Sequence, residues 1–185
     1  GVQEALLDQQ ADALGIATRK VFLPAQADMK TYNHTMHKAY EAAGKEGIDT
    51  IAFGDIYLED LKNFRERQVE KAGLKADFPL WQENTTVLIN SFVDLGFKTI
   101  VVALDSSRLS RDFLGRIIDH DFIKDLPEEV DPCGENGEFH TFVIDGPLFE
   151  YPLNPVLGEV VERHYPAPAD KDRLVTYYFQ DLLPG

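Results

Sequence analysis

The densest chemistry in the chain lies in one segment, Asp131-Pro-Cys-Gly-Glu-Asn-Gly-Glu-Phe-His-Thr141, just before a stretch that reads as a strand. It holds three carboxylates, two glycines, a thiol and an imidazole. Gly134 and Gly137 allow turns closed to other residues and let backbone N–H groups approach a ligand. Glu135 and Glu138 are residue types that accept protons, hold magnesium or grip an amine. The plain alternative is a tight surface turn with solvated carboxylates. Cys133 needs a partner that lowers its pKa to act as a nucleophile, and otherwise serves as a small apolar filler. Its spacing to Glu135 and His140 fits no common zinc pattern, so no metal site is expected.

A second segment runs from Gly54-Asp55-Ile56 to Arg65-Glu66-Arg67. A strand ends at Gly54 and a helix starts soon after. Such a turn presents Asp55 and helix N–H groups at a sheet edge. Arg65 and Arg67 suit phosphate or carboxylate. A solvated helix with ordinary i,i+4 pairs is the alternative. Phe78-Pro-Leu-Trp81 offers a ring for adenine stacking, although a core anchor is the commoner use of such a tryptophan. His34 and His37, three apart on a helix, suggest surface positions more than a metal pair. The chain contains no Walker-type phosphate loop, no Gly-x-Gly-x-x-Gly and no Gly-x-Ser-x-Gly.

The elements around these residues follow from periodicity and stops. Helices are expected over Glu4–Leu14, Met29–Glu46 with Asp28 as cap, Leu58–Ala72 and Asn84–Leu95. Strands are expected over Arg19–Leu23, Asp49–Gly54, Lys98–Leu104, Phe139–Ile144, Gly158–His164 and Leu174–Gln180. The early alternation of helix and strand predicts an α/β fold with a mostly parallel sheet. A β-richer part with frequent prolines follows from about Phe78. An open parallel sheet binds ligands beyond the carboxyl ends of its strands, where Gly54-Asp55-Ile56 and Asp105-Ser-Ser-Arg108 fall.

Composition narrows the function. With 44% hydrophobic and 27% charged residues, the chain is ordinary for a globular protein. The net charge of -14 argues against nucleic acid binding. No apolar run nears the ~20 residues of a membrane helix, and no secretory leader opens the chain. The single cysteine fits a reducing compartment, so a cytoplasmic location is expected. The first residue is Gly1 and not Met, so upstream residues are expected.

Gly54-Asp55-Ile56, Arg65-Glu66-Arg67, Pro79-Leu80-Trp81, Cys133-Gly134-Glu135-Asn136-Gly137-Glu138-Phe139-His140-Thr141 and Asp145-Gly-Pro-Leu-Phe149 resemble, in order and spacing, the diphthine–ammonia ligase-like ATP pyrophosphatases. That family sits in the adenine nucleotide alpha hydrolase superfamily. The opening Gln10-Ala11-Asp12-Ala13-Leu14-Gly15 is similar to the family's Gln-Ala-x-Ala-Leu-Gly step. The Gly-Asp-Ile and Asn63-Phe64-Arg65-Glu66-Arg67 versions look like the bacterial branch.

The resemblance implies a Rossmann-like (HUP-type) parallel sheet over 1–77, here without its first strand and phosphate loop. A smaller mixed α/β substrate domain is implied over 78–185. It implies adenylation of a carboxylate by ATP, with Mg2+, and attack by ammonia to give an amide. In archaea and eukaryotes the substrate is diphthine, a modified histidine. The implied roles are Glu135 and Glu138 in catalysis and Gly54 and Asp55 at the nucleotide. Arg65, Arg67, Cys133, Gly134, Asn136, Gly137, His140 and Thr141 are implied at the substrate. The expected partners are ATP, a carboxylate and ammonia, with no nucleic acid, no membrane and a possible homodimer. The alternatives are a nucleotide-binding regulatory protein and a non-catalytic fragment of such an enzyme.

Overall fold

A computed structural model describes residues 2–25, 27–167 and 170–185. The chain divides into two compact units, Arg19–Glu83 and the combination of Gly1–Thr18 with Asn84–Gly185.

Unit Arg19–Glu83 contains α1 (Met29–Lys45), β1 (Thr50–Ala52), α2 (Glu59–Glu70) and β2 (Lys75–Asp77). The Asp28 carboxylate accepts the Thr31 N–H at 2.7 Å and caps α1 as its residue type predicts. Hydrogen bonding from the Thr31 side chain, and then from its N–H, lowers the Asp28 pKa. β1 and β2 pair in parallel, with Thr50 opposite Lys75 and Ala52 opposite Asp77. Glu59 and Asp60 sit in the first turn of α2, where the helix dipole favours anions. The strand expected at Arg19–Leu23 does not form. Those residues have no regular structure, and Phe22 is 74% exposed. Extended apolar residues become a strand only when a neighbour takes up their hydrogen bonds, and β1 pairs with β2.

The other unit opens with a helix over Glu4–Ala13, here called α0 because it precedes the first unit in sequence. It continues with α3 (Thr85–Asp94), β3 (Lys98–Asp105), a 3-10 turn at Arg111–Phe113 and α4 (His120–Asp125). β4 (Phe139–Asp145), β5 (Val156–Ala167) and β6 (Asp170–Leu183) complete it. Its sheet has the order β4-β3-β6-β5, and every pairing in it is antiparallel. The mostly parallel sheet expected from the sequence is therefore corrected: among the described strands only β1 and β2 pair in parallel, and one isolated parallel bridge joins Val2 to Leu182. The misleading signal is the run Ile100-Val-Val-Ala-Leu104, buried throughout. A continuous apolar run reports burial on two faces, which parallel strands share with the centre of a covered antiparallel sheet.

Both faces of β3 are covered. Val101 and Leu104 pack with Ile89 of α3, Phe122 of α4 and Phe139 of β4. Ile100 and Val102 pack with Leu6 and Ala13 of α0, Phe142 and Leu182. Gln10 of α0 also donates from Nε2 to the Val143 carbonyl at 2.6 Å. The opening helix thus folds with residues 84–185, and the chain passes between the two units at Thr18/Arg19 and at Glu83/Asn84. Each fully buried leucine or phenylalanine in these layers contributes about 1.5–3 kcal/mol. No helix of the described residues is long and apolar enough to cross a membrane.

Candidate functional site

The segment before β4 is a folded loop organised by two of its own carboxylates. Asp131 Oδ2 accepts the N–H groups of Cys133 (3.1 Å) and Glu135 (2.9 Å). Glu138 Oε1 accepts the Asp131 N–H (3.2 Å) and Asn136 Nδ2 (2.9 Å), while Oε2 accepts the Asn136 N–H (3.0 Å). Two turns follow from Gly134 N–H to Asp131 C=O and from Gly137 N–H to Gly134 C=O, both 2.9 Å. The Asp105 N–H, at the end of β3, binds the Glu138 carbonyl at 2.9 Å and fastens the loop to the sheet.

Glu138 is buried, 3% exposed, with both oxygens engaged inside the loop. Glu135 is half-buried and Asn136 exposed. Gly134 lies at φ +70, and a Cβ there would meet the Phe139 carbonyl oxygen at 2.9 Å and the Phe139 ring at 3.3 Å. Gly137, at φ +82, has nothing within 4 Å of such a Cβ. One glycine is required by contact and conformation, the other by conformation alone.

Cys133 is half-buried, and its thiol donates to the Thr85 carbonyl at 3.4 Å. Burial pushes its pKa up to about 12, and the nearby charges of Asp131 and Glu135 add to that. This is a protonated, weakly nucleophilic thiol. His140 and Thr141 follow on β4, both exposed.

The other group stands in unit Arg19–Glu83. Gly54 and Asp55 lie just past the carboxyl end of β1. Arg65 Nε, on α2, sits between the two oxygens of buried Asp55, 3.1 Å from Oδ1 and 2.9 Å from Oδ2. Its hydrogen is aligned with Oδ1, so Oδ2 keeps a Coulomb contact without an aligned hydrogen bond. The Arg65 guanidinium also lies over the Phe53 ring at 4.9 Å. Arg67, two residues on, is exposed. Trp81 precedes α3 in a turn, edge-on to Phe78, with Lys62 Nζ over both rings at 4.9 and 5.4 Å. The stacking ring foreseen in the sequence is thus already packed against its neighbours. Tyr57, Glu59, Lys62, Asn63, Trp81 and Gln82 line a cavity of about 200 Å³ there. His37 pairs with Glu41 at 3.6 Å along α1. Among the described residues no three His, Cys, Asp or Glu side chains cluster in a way that could hold a metal ion.

Asp131, which the sequence reading did not single out, is an organiser of this loop. Its signal was present, because Asp before Pro-x is a residue type that folds back onto N–H groups two residues on.

The family model for the diphthamide synthase C-terminal domain matches residues 84–165. Diphthine–ammonia ligase of Homo sapiens is 27% identical over 150 residues, 78% of this chain and 55% of that protein. The Bos taurus enzyme is 30% identical over 123 residues, 63% of this chain and 46% of that protein. The Schizosaccharomyces pombe enzyme is 30% identical over 119 residues, 62% of this chain and 20% of that protein. The chain thus spans about half the length of the mammalian relatives it matches, and less of the yeast one.

Proposed function

We propose, for this diphthine–ammonia ligase-like chain whose residues 84–165 match a diphthamide synthase C-terminal domain, that the protein it represents is an ATP-dependent amide-forming ligase. A substrate carboxylate attacks the α-phosphate of ATP, pyrophosphate leaves, ammonia attacks the acyl adenylate and AMP departs. The observation that carries this proposal is the Asp131–Glu138 loop, in which five hydrogen bonds to two carboxylates hold a glycine turn within the matched domain. Such a loop offers a fixed frame in which side chains meet a ligand without reorganising.

The proposed division of work follows the burial of the two glutamates. Glu138 shapes the loop. Glu135 handles the amine or the substrate, with Asn136, His140 and Thr141 as further substrate contacts. Cys133, Gly134 and Gly137 shape the floor beneath them. A thiol held protonated suits packing and not acyl transfer.

Unit Arg19–Glu83 would be part of a Rossmann-like nucleotide-binding domain of HUP type. Gly54 would leave room for the nucleotide, since a Cβ there would meet nothing within 4 Å. Buried Asp55 would act at the nucleotide end by holding the Arg65 guanidinium in place, while Arg65 and Arg67 would face anions. The described residues do not supply a three-ligand magnesium set, so no step is assigned to that ion. In archaea and eukaryotes diphthine would be the carboxylate; in a bacterial branch the carboxylate would be another.

The test is AMP and pyrophosphate release from ATP–magnesium with ammonia and a panel of carboxylates. Glu135→Gln should lower turnover by at least about tenfold with unchanged stability. Full turnover in Glu135→Gln, or ATP binding without AMP formation for any carboxylate, would overturn the proposal.

A further inference from the structure

The two longest strands, β5 and β6, form a hairpin, and β5 is an edge of the antiparallel sheet. β3 pairs with β6 only at residues 177–179, and the Ser106 N–H adds one bond to the Thr176 carbonyl at 2.9 Å. The hairpin runs on past that support. Tyr165 stands opposite Val175, and Pro166 opposite Leu174. This end of the sheet is therefore a ribbon of two strands. Two strands alone are marginally stable in water, and a further strand is ordinarily needed to cover their backbone and apolar side chains.

β5 has few of the devices that blunt an edge. It is 12 residues long and carries no lysine. Val161 is 40% exposed and Tyr165 43%. Its register is interrupted between Leu157 and Val160, and Pro166, which has no N–H, closes the far end. Between those two points residues 160–165 are regular strand, and among the described strands none pairs with their outer side. Alternation sends Val161, Arg163 and Tyr165 to one face and Glu162 and His164 to the other.

We propose that β5 of one copy of this chain pairs antiparallel with β5 of a second copy, about a two-fold axis at Arg163. A two-fold axis perpendicular to a sheet keeps like faces together, so it must pass a residue and not a point between two residues. Placed at Arg163, it sets Val161 of each copy opposite Tyr165 of the other, and Glu162 of each opposite His164 of the other. Placed at Glu162, it would set that carboxylate against its own copy and Val161 against Arg163. Placed at Val161 or at His164, it would carry the pairing into the irregularity at Leu157–Val160 or past Pro166. The side chains thus select one register. Its single like-charge pair is Arg163 with Arg163, and that guanidinium already leans over the Phe179 ring of its own sheet at 6.0 Å. Charge also permits a second copy here. The chain carries -14 in all, yet residues 160–166 hold one carboxylate and one guanidinium, Glu162 and Arg163. The pairing turns two lone ribbons into four strands. It does not depend on the ligase proposal, and its test uses neither ATP nor ammonia.

The experiment is sedimentation equilibrium of the whole chain at about 10–300 µM, the range suited to a small interface. A monomer–dimer equilibrium is expected. Val161→Lys places a charge on the exposed edge and should weaken association at least about tenfold, with the urea midpoint unchanged. Register is read by cross-linking in a Cys133→Ala background. Opposed residues have Cα atoms about 4.5–5.5 Å apart, within disulfide reach. A mixture of Val161→Cys and Tyr165→Cys chains should therefore form a disulfide-linked dimer under mild oxidation. Either variant alone should not, because identical positions would lie four residues apart, about 13 Å. A chain that stays monomeric at the highest concentration overturns the proposal. So does a dimer indifferent to Val161→Lys, or one in which either single variant cross-links as well as the mixture.

Discussion

Replacing each loop glycine by alanine separates conformational strain from steric contact. Gly137→Ala places a Cβ at φ +82 with nothing within 4 Å. Its cost is that of a left-handed alanine, about 1–2 kcal/mol, less about 0.4–1 kcal/mol for the stiffer unfolded chain. A net loss of about 0.5–1 kcal/mol is expected. Gly134→Ala carries the same terms at φ +70, and its Cβ would lie 2.9 Å from the Phe139 carbonyl oxygen. That oxygen belongs to the first residue of β4 and cannot swing aside as a side-chain end would. Relieving the overlap requires backbone shifts of the kind that cost about 1–3 kcal/mol. The total expected for Gly134→Ala is about 2–4 kcal/mol. Urea unfolding of both variants measures the difference. Reaction of Cys133 with a thiol reagent reports whether the loop opens, since the thiol is held against Thr85 C=O in the native loop. Equal stabilities for the two variants would refute the reasoning, because strain would then be the whole effect.

Three further outcomes follow from the same geometry. Phe122→Ala should lose about 3–5 kcal/mol in chemical denaturation, because Phe122 is fully buried and edge-on to Phe113 and Phe139. Glu138→Gln puts an amide N–H₂ where a carboxylate oxygen accepts hydrogen bonds, and should cost about 1–3 kcal/mol and speed Cys133 labelling. The Cys133 pKa is raised to about 12 in the fold, so the unfolded thiol ionises first. Its contribution is present in full below the ordinary thiol pKa and is lost as pH rises toward about 12, so stability should fall over that window in the native chain and less so in Cys133→Ala.

Much of the local structure was legible in the residues. Asp28 caps a helix where its type predicts, accepting from Thr31, and the helix expected over Asn84–Leu95 forms over Thr85–Asp94. The strands at Lys98, Phe139 and Leu174 appear where apolar patterning puts them. The Cys133–Thr141 segment stood out by composition, and it is a built loop. What patterning missed depends on neighbours. β5 is longer than its apolar core suggested because pairing with β6 carries it on to Ala167. The short helix His120–Asp125 carries too few residues to show a period, and rests on its Asp119 cap and on Phe122.

By itself, then, the sequence determined local conformation and the family likeness, because caps, glycine turns and motif spacing are properties of adjacent residues. Tertiary structure alone decided strand direction, the union of the opening helix with residues 84–185, and the different states of two similar glutamates. Those depend on which distant groups share a hydrogen bond or a face: Glu138 is consumed by the turn that it closes, and the aromatic hairpin face exists only once register sets residues 140, 165, 177 and 179 side by side.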